Sequence, residues 1–286
     1  PTMIHPGKNL SSTVRDSTRN NRRREPGAAM KLEEIIRKRK AEKDILLMTH
    51  IVLGYPSFET NREVIKEMVD NGVDCIEMQI PFSEPMADGP VILKANQDSL
   101  TRGTSIKDCL NFGAEMCSTH EIPFLYMTYY NIIYKYGEER FLDQAAEAGI
   151  QGLILPDLPP EEGADLCKSA KQRDIAPIMI YSPTSTVERM QELSGHGAGF
   201  IYCTARKGVT GSHSDLDTEF KNYLSRCRQA TSLPLAVGFG IQNRSDIEAL
   251  IGAADMGVVG SQTIKLVDEQ GSAAVGPFIS RLRGTS

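Results

Sequence analysis

Asn71-Gly72-Val73-Asp74-Cys75-Ile76-Glu77-Met78-Gln79 decides the fold. A glycine closes a helical pattern and a short apolar strand follows. The residue past the last helical turn often takes left-handed dihedrals that glycine adopts freely, so this junction reads as helix end and strand start. The same entry recurs at Ala148-Gly149-Ile150-Gln151 before Gly152-Leu153-Ile154-Leu155, at His196-Gly197-Ala198-Gly199 before Phe200-Ile201-Tyr202-Cys203, and at Gly252-Ala253-Ala254-Asp255 before Met256-Gly257-Val258-Val259. Between these lie strands entered through proline: Pro123 before Phe124-Leu125-Tyr126-Met127, Pro177 before Ile178-Met179-Ile180-Tyr181, and Pro234 before Leu235-Ala236-Val237-Gly238. Proline is tolerated at the first residue of a strand, where no ladder donor is needed.

With Ile45-Leu46-Leu47-Met48 as the first, this gives eight strands alternating with helices. Short continuous apolar strands belong to a parallel sheet buried on both faces, and a two-unit repeat taken four times closes into an α/β (β/α)8 TIM barrel. An open doubly wound sheet would need a Gly-x-Gly-x-x-Gly turn after an early strand, and none is present. Beyond an amphipathic first helix around Leu32, Ile35 and Ile36, helices are expected over 60–70, 105–118, 138–148, 161–173, 186–193, 217–230, 245–251 and 262–283. Residues 30–286 are read as one catalytic domain. Residues 1–29, rich in Ser, Thr, Asn and Arg with few large apolar side chains, read as a disordered leader, a transit segment or an appended tail.

A net charge of −5 offers no basic field for nucleic acid, and 40% hydrophobic residues suffice for a core. No run approaches the roughly 18 apolar residues of a membrane helix, so the expectation is a cytoplasmic protein without membrane contact. Six cysteines lie scattered without Cys-x-x-Cys spacing, which implies neither metal nor disulfide.

In such barrels the loops after the strands build the active site. Glu77 lies within the second strand, and Cys75, Glu77 and Gln79, two apart, share a face. Asp88 follows in a loop holding Pro81, Pro85 and Pro90, and could fold back over the barrel mouth. Two carboxylates of unequal exposure can divide acid and base roles, the strand acid with a raised pKa and the loop acid ionised. Glycines end the last two strands, in Gly238-Phe239-Gly240 and Gly260-Ser261-Gln262, where backbone N–H groups and a helix N-terminus can hold a phosphate. The glycine-hinged loop after the sixth strand, with Arg206 and Lys207, suits a lid.

Through Ile80-Pro81-Phe82-Ser83-Glu84-Pro85-Met86-Ala87-Asp88-Gly89-Pro90, Arg206-Lys207-Gly208-Val209-Thr210-Gly211, Gly238-Phe239-Gly240 and Gly260-Ser261, the sequence resembles the tryptophan synthase α subunit family. The resemblance implies retro-aldol cleavage of indole-3-glycerol phosphate to indole and glyceraldehyde 3-phosphate. It implies no cofactor on this chain and an αββα complex whose β subunit carries pyridoxal phosphate (PLP). By the same match Glu77 is the general acid/base, Asp88 accepts from the indole N–H, and Tyr202 positions the substrate. Gly211, Gly240, Gly260 and Ser261 hold the phosphate, Tyr129, Met127, Ile154 and Phe239 line the indole pocket, and Arg206 and Thr210 belong to the lid. The loop 81–90 and turns at Asn131 and Pro159 would meet the partner.

Three residues depart from the family pattern: His50 stands for an apolar residue, Gln79 for glycine and Glu84 for aspartate. His50 is expected to be a satisfied histidine outside the chemistry, and Gln79→Gly to keep or raise activity. Competing readings are a free-standing lyase, a catalytically silent barrel that activates a partner, and a sugar-phosphate isomerase, which would not account for the Asp88 motif.

Overall fold

The structure, a computed structural model, describes residues 31–205, 213–238 and 240–285, with backbone alone for 213–217. The expected tail at 1–29, the lid residues Arg206, Thr210 and Gly211, and the pocket residue Phe239 lie outside the described residues.

Eight parallel strands close in sequence order: β1 (Leu46–Val52), β2 (Cys75–Gln79), β3 (Phe124–Met127), β4 (Gly152–Ile154), β5 (Ala176–Tyr181), β6 (Ile201–Thr204), β7 (Leu235–Gly238) and β8 (Met256–Val259). β8 returns to pair with β1, so the ring is the expected (β/α)8 barrel. Around it run α1 (Leu32–Ala41), α2 (Phe58–Asp70), α3 (Pro90–Thr101), α4 (Ile106–Thr119), α5 (Tyr130–Tyr136), α6 (Glu138–Ala148), α7 (Pro160–Lys171), α8 (Val187–His196), α9 (His213–Ala230), α10 (Arg244–Glu248), α11 (Ser261–Gln270) and α12 (Val275–Arg283).

The junctions do what the sequence demanded of them. Gly72, Gly149 and Gly252 all take left-handed φ, near 84–89°. At the third glycine entry the left-handed residue is Gly199, φ 77°, while Gly197 stays extended. The proline carbonyls serve neighbouring strands: Ile76 N–H donates to Pro123 O at 3.0 Å and Ile201 N–H to Pro234 O at 2.8 Å. Proline lacks only the donor, so a strand entry can use its acceptor.

Strand alternation divides two apolar layers. Ile76, Met78, Leu153, Val237 and their like pack outward against the helices. Cys75, Leu125, Met127, Ile154, Ile178, Met256 and Val258 fill the inside of the ring. Leu32 and Ile36 of α1 join this inner layer beside Leu46, Ala176 and Phe200, all at strand entrances, so α1 plugs the N-terminal end. A Cβ on Gly199 would lie 2.9 Å from Leu32, which requires glycine there for space as well as for φ. At the same end Asp74, fully buried, accepts from Leu47 N–H at 2.9 Å and from Lys43 Nζ at 2.5 Å, and pairs with Arg283.

Several expected elements differ. The single last helix at 262–283 is two, broken where Gly271 turns to φ 85° ahead of the 3-10 turn Ser272–Ala274. Helix α3 was not anticipated, because Pro90 reads as a loop residue; it occupies the first helical turn, where its missing N–H costs nothing. Asn131 sits on α5 rather than in a turn. Helix α9 begins at His213, ahead of the expected start at 217.

Candidate active site

Inside β1, Met48 and then His50 point into the ring while Thr49 reaches outward, its Oγ1 3.1 Å from Met68 Sδ of α2. His50 stands in register with Glu77 of β2, and Glu77 with Leu125 of β3. Both polar side chains are turned inward and buried, each about 4% exposed. His50 Nδ1 and Glu77 Oε1 are 3.0 Å apart. Two residues on, Gln79 donates from Nε2 to Asp88 Oδ2 at 2.7 Å. One face of β2 thus carries an acid and an amide that bonds to the second acid.

Asp88 reaches this point because its loop is held at several places. Phe82 stacks on Tyr129 with ring centroids 4.9 Å apart, and its N–H donates to Oδ1 of buried Asn96 on α3 at 2.9 Å. Asp88 N–H donates to Pro85 O at 3.1 Å, closing a turn. The Tyr129 hydroxyl accepts from Ala87 N–H at 3.0 Å and donates to Asp88 Oδ2 at 3.3 Å. Tyr129, expected to line the indole pocket, therefore also anchors the acid. Met127 and Ile154, in register across β3 and β4, are inner-layer residues beneath it.

Electrostatics follow from this crowding. Burial pushes Asp88 upward, and the charge of Glu77 adds to it, against hydrogen bonds from Gln79 and Tyr129 and the charge on His50. The expected division, with the loop acid simply ionised, is thus altered: folding the loop back removes water from Asp88. For His50 burial alone lowers the pKa. The charge and hydrogen bond of Glu77, with Asp88 and Gln79 behind them, outweigh it and hold the imidazole above its usual value of 6.5. Tyr202, inward on β6, is raised well above 10 by burial and by the charges of Glu77 and Asp88, so its phenol keeps its proton. Its hydroxyl lies where a Cβ on Gly238 would come within 3.0 Å, so glycine on β7 makes room for it.

The glycine that follows β8 lies on the same rim. Thr49 pairs with Val259, so Gly260 follows at the level of His50 and Glu77. Gly260 caps α11, Ser261 opens that helix, and Gly240 takes φ 83°. First-turn N–H groups lack partners within their own helix and carry its positive dipole end.

Sequence reasoning set His50 aside from the chemistry, doubted Gln79 and overlooked Asn96. The available signal was parity: His50 is two residues from inward Met48, so a polar side chain had to enter the ring. Glu84 is exposed and enters none of these contacts. Among the described residues no group of three or more His, Cys, Asp or Glu could hold a metal ion, and no helix is long and apolar enough to cross a membrane.

An inward acid on β2, a second acid folded back above it, and a glycine-capped helix on the same rim define a (β/α)8-barrel enzyme built for proton transfer on an anionic substrate. A profile for the family described as tryptophan synthase alpha chain matches residues 36–276, and the chain belongs to that family. The tryptophan synthase alpha chain of Desulfotalea psychrophila is 68% identical over 254 residues, covering 89% of this chain and 100% of the relative. That of Syntrophotalea carbinolica is 54% identical over 252 residues, covering 88% and 100%. Among solved structures, tryptophan synthase subunit alpha from Legionella pneumophila is similar with TM-score 0.82 at 32% identity, covering 90% of this chain and 98% of that one. A Mycobacterium tuberculosis tryptophan synthase chain matches at 28% identity and TM-score 0.82, with 90% and 98% coverage.

Proposed function

We propose that this chain cleaves indole-3-glycerol phosphate by a retro-aldol reaction, releasing indole and glyceraldehyde 3-phosphate, as the α subunit of a tryptophan-forming complex. The observation that carries the reading is the pair of acids: Glu77 inward on β2 and Asp88 bound back to Gln79 of the same strand at 2.7 Å.

The substrate's phosphate sits at Gly240, Gly260 and Ser261, where the start of α11 presents backbone N–H groups without a side-chain cap and the positive end of its dipole. Its indole ring reaches over Met127 and Ile154 toward Asp88. Protonation of indole C3 places positive charge on the ring nitrogen, whose N–H then donates to the Asp88 carboxylate. Removal of the proton from the adjacent glycerol hydroxyl lets the carbon–carbon bond break. Its electron pair returns to the indole ring and the hydroxyl carbon becomes the aldehyde. Glu77 moves both protons, and the reaction has no net proton change. Tyr202, holding its proton, orients the glycerol chain by donating a hydrogen bond. The general acid/base and the electrostatic partner each contribute on the order of a hundredfold.

No cofactor on this chain enters these steps, and PLP belongs to the β subunit that receives the indole in the cytoplasm. Met86 on the Asp88 loop and Tyr134 on α5, 88% and 67% exposed, offer apolar contact to that subunit beside the site.

The test is indole release from indole-3-glycerol phosphate by the purified chain, with and without its cognate β subunit. Release that rises with the β subunit and drops ~100-fold or more in Glu77→Gln is expected. A Glu77→Gln protein as fast as the parent, or a parent that makes no indole, would overturn the reading.

A further inference from the structure

We propose that His50 is a positioning residue for Glu77: its ring N–H anchors one carboxylate oxygen, Oε1, and leaves Oε2 as the oxygen that moves the proton. This rests on the lyase reading above and assigns a role to a side chain that reading does not use.

The geometry is specific. His50 Nδ1 lies 3.0 Å from Glu77 Oε1, both side chains are about 4% exposed, and the two residues face each other in strand register. A carboxylate oxygen can only accept, so the ring nitrogen donates. Three atoms around this contact are buried without a hydrogen-bond partner among the described residues: His50 Nε2, Glu77 Oε2 and Gln79 Oε1. A buried polar atom left unpaired costs stability, so such a cluster inside a barrel marks where a polar substrate group is received. The inward neighbour Met48 is apolar, and a third apolar side chain would complete the layer more cheaply than an imidazole. What the imidazole adds is orientation, because a single hydrogen bond fixes the carboxylate plane and selects which oxygen remains free.

The groups facing His50 are Glu77 and Gln79 from β2 and Asp88 from the following loop. Behind Glu77 stand Cys75 on its own strand and Tyr202 from β6, both shifted upward in part by that carboxylate, while β8 brings apolar Met256 and Val258. Both anions favour the imidazolium. Nδ1 carries a proton in the imidazolium and in the neutral Nδ1–H tautomer alike, so the hydrogen bond to Oε1 holds on both sides of the ring's titration.

The experiment measures kcat and KM for indole release across pH in the parent, His50→Leu and His50→Asn, and follows imidazole titration by NMR in the parent and in Glu77→Gln. An asparagine amide donor takes the place of Nδ1 without titrating. Expected are a ~30-fold loss of kcat with KM within ~3-fold for His50→Leu and recovery to within ~5-fold for His50→Asn. His50 should titrate above 6.5 in the parent and lower in Glu77→Gln, where burial has lost the Glu77 charge that opposes it. His50→Leu with the parent kcat, equal losses in Leu and Asn, or a His50 titration indifferent to Glu77→Gln would overturn the role while leaving the lyase reading intact. A parent that releases no indole at any pH would overturn both.

Discussion

Replacing Gln79 by glycine, which restores the residue more usual at this position by the resemblance, should weaken the enzyme. The amide of Gln79 donates to Asp88 Oδ2 at 2.7 Å, closer than the Tyr129 hydroxyl at 3.3 Å. A hydrogen bond to a charged group contributes about 1.5–3 kcal/mol. Tyr129 still reaches the same oxygen at 3.3 Å, and Asp88 keeps some exposure so water can take part of the load, which favours the lower end. At ~1.4 kcal/mol per decade the loss in kcat/KM is ~10-fold. The pH profile supplies the sharper sign. Asp88 works as the carboxylate, so activity disappears as pH falls through its folded pKa. That pKa is already raised by burial and is pulled back by the Gln79 hydrogen bond. Removing the bond raises it further, so the acid limb of kcat/KM moves to higher pH. Steady-state indole release from pH 4 to 9 reads both effects, and urea unfolding accounts separately for the ~1 kcal/mol that glycine costs inside a strand. A variant with unchanged or greater kcat/KM and an unmoved acid limb would refute the reasoning and return Gln79 to a bystander's place.

Gly238→Ala probes Tyr202: its Cβ would fall 3.0 Å from the phenol oxygen, forcing the ring aside, and kcat should drop ~10-fold while the urea midpoint barely moves. An unaltered kcat would mean that Tyr202 is not where the substrate needs it. At the far end of the barrel, Asp74→Ala removes a buried carboxylate that meets Lys43, Arg283 and the Leu47 N–H. Breaking such a buried network should cost about 3 kcal/mol in urea unfolding with kcat intact, and a lost kcat in folded protein would contradict the separation of ends argued above.

The periodic part of this molecule was readable because its signals are local. A left-handed φ at Gly72, Gly149 or Gly252 and a missing donor at Pro123 or Pro234 depend on neighbours only a few residues away, and repeated in alternation they count the strands. Reading failed where the same residue types admit two local answers. Pro90 can bend a loop or open a helix, and Gly271 can pass for an interior glycine until its φ of 85° splits the last helix.

Sequence alone therefore determined the ring of eight strands, the common face of Cys75, Glu77 and Gln79, and the family to which the motif around Asp88 pointed. Only the tertiary structure decided that Glu77 meets His50 across two strands and that Asp88 turns back onto Gln79 and Tyr129. Those contacts join residues 9 to 41 positions apart in the chain, and their geometry exists only once the ring has closed and the loop has been drawn in by Phe82 and Asn96. Strand patterns are set by near neighbours, whereas the charge state of a catalytic acid is set by whatever the fold brings within a few ångströms of it.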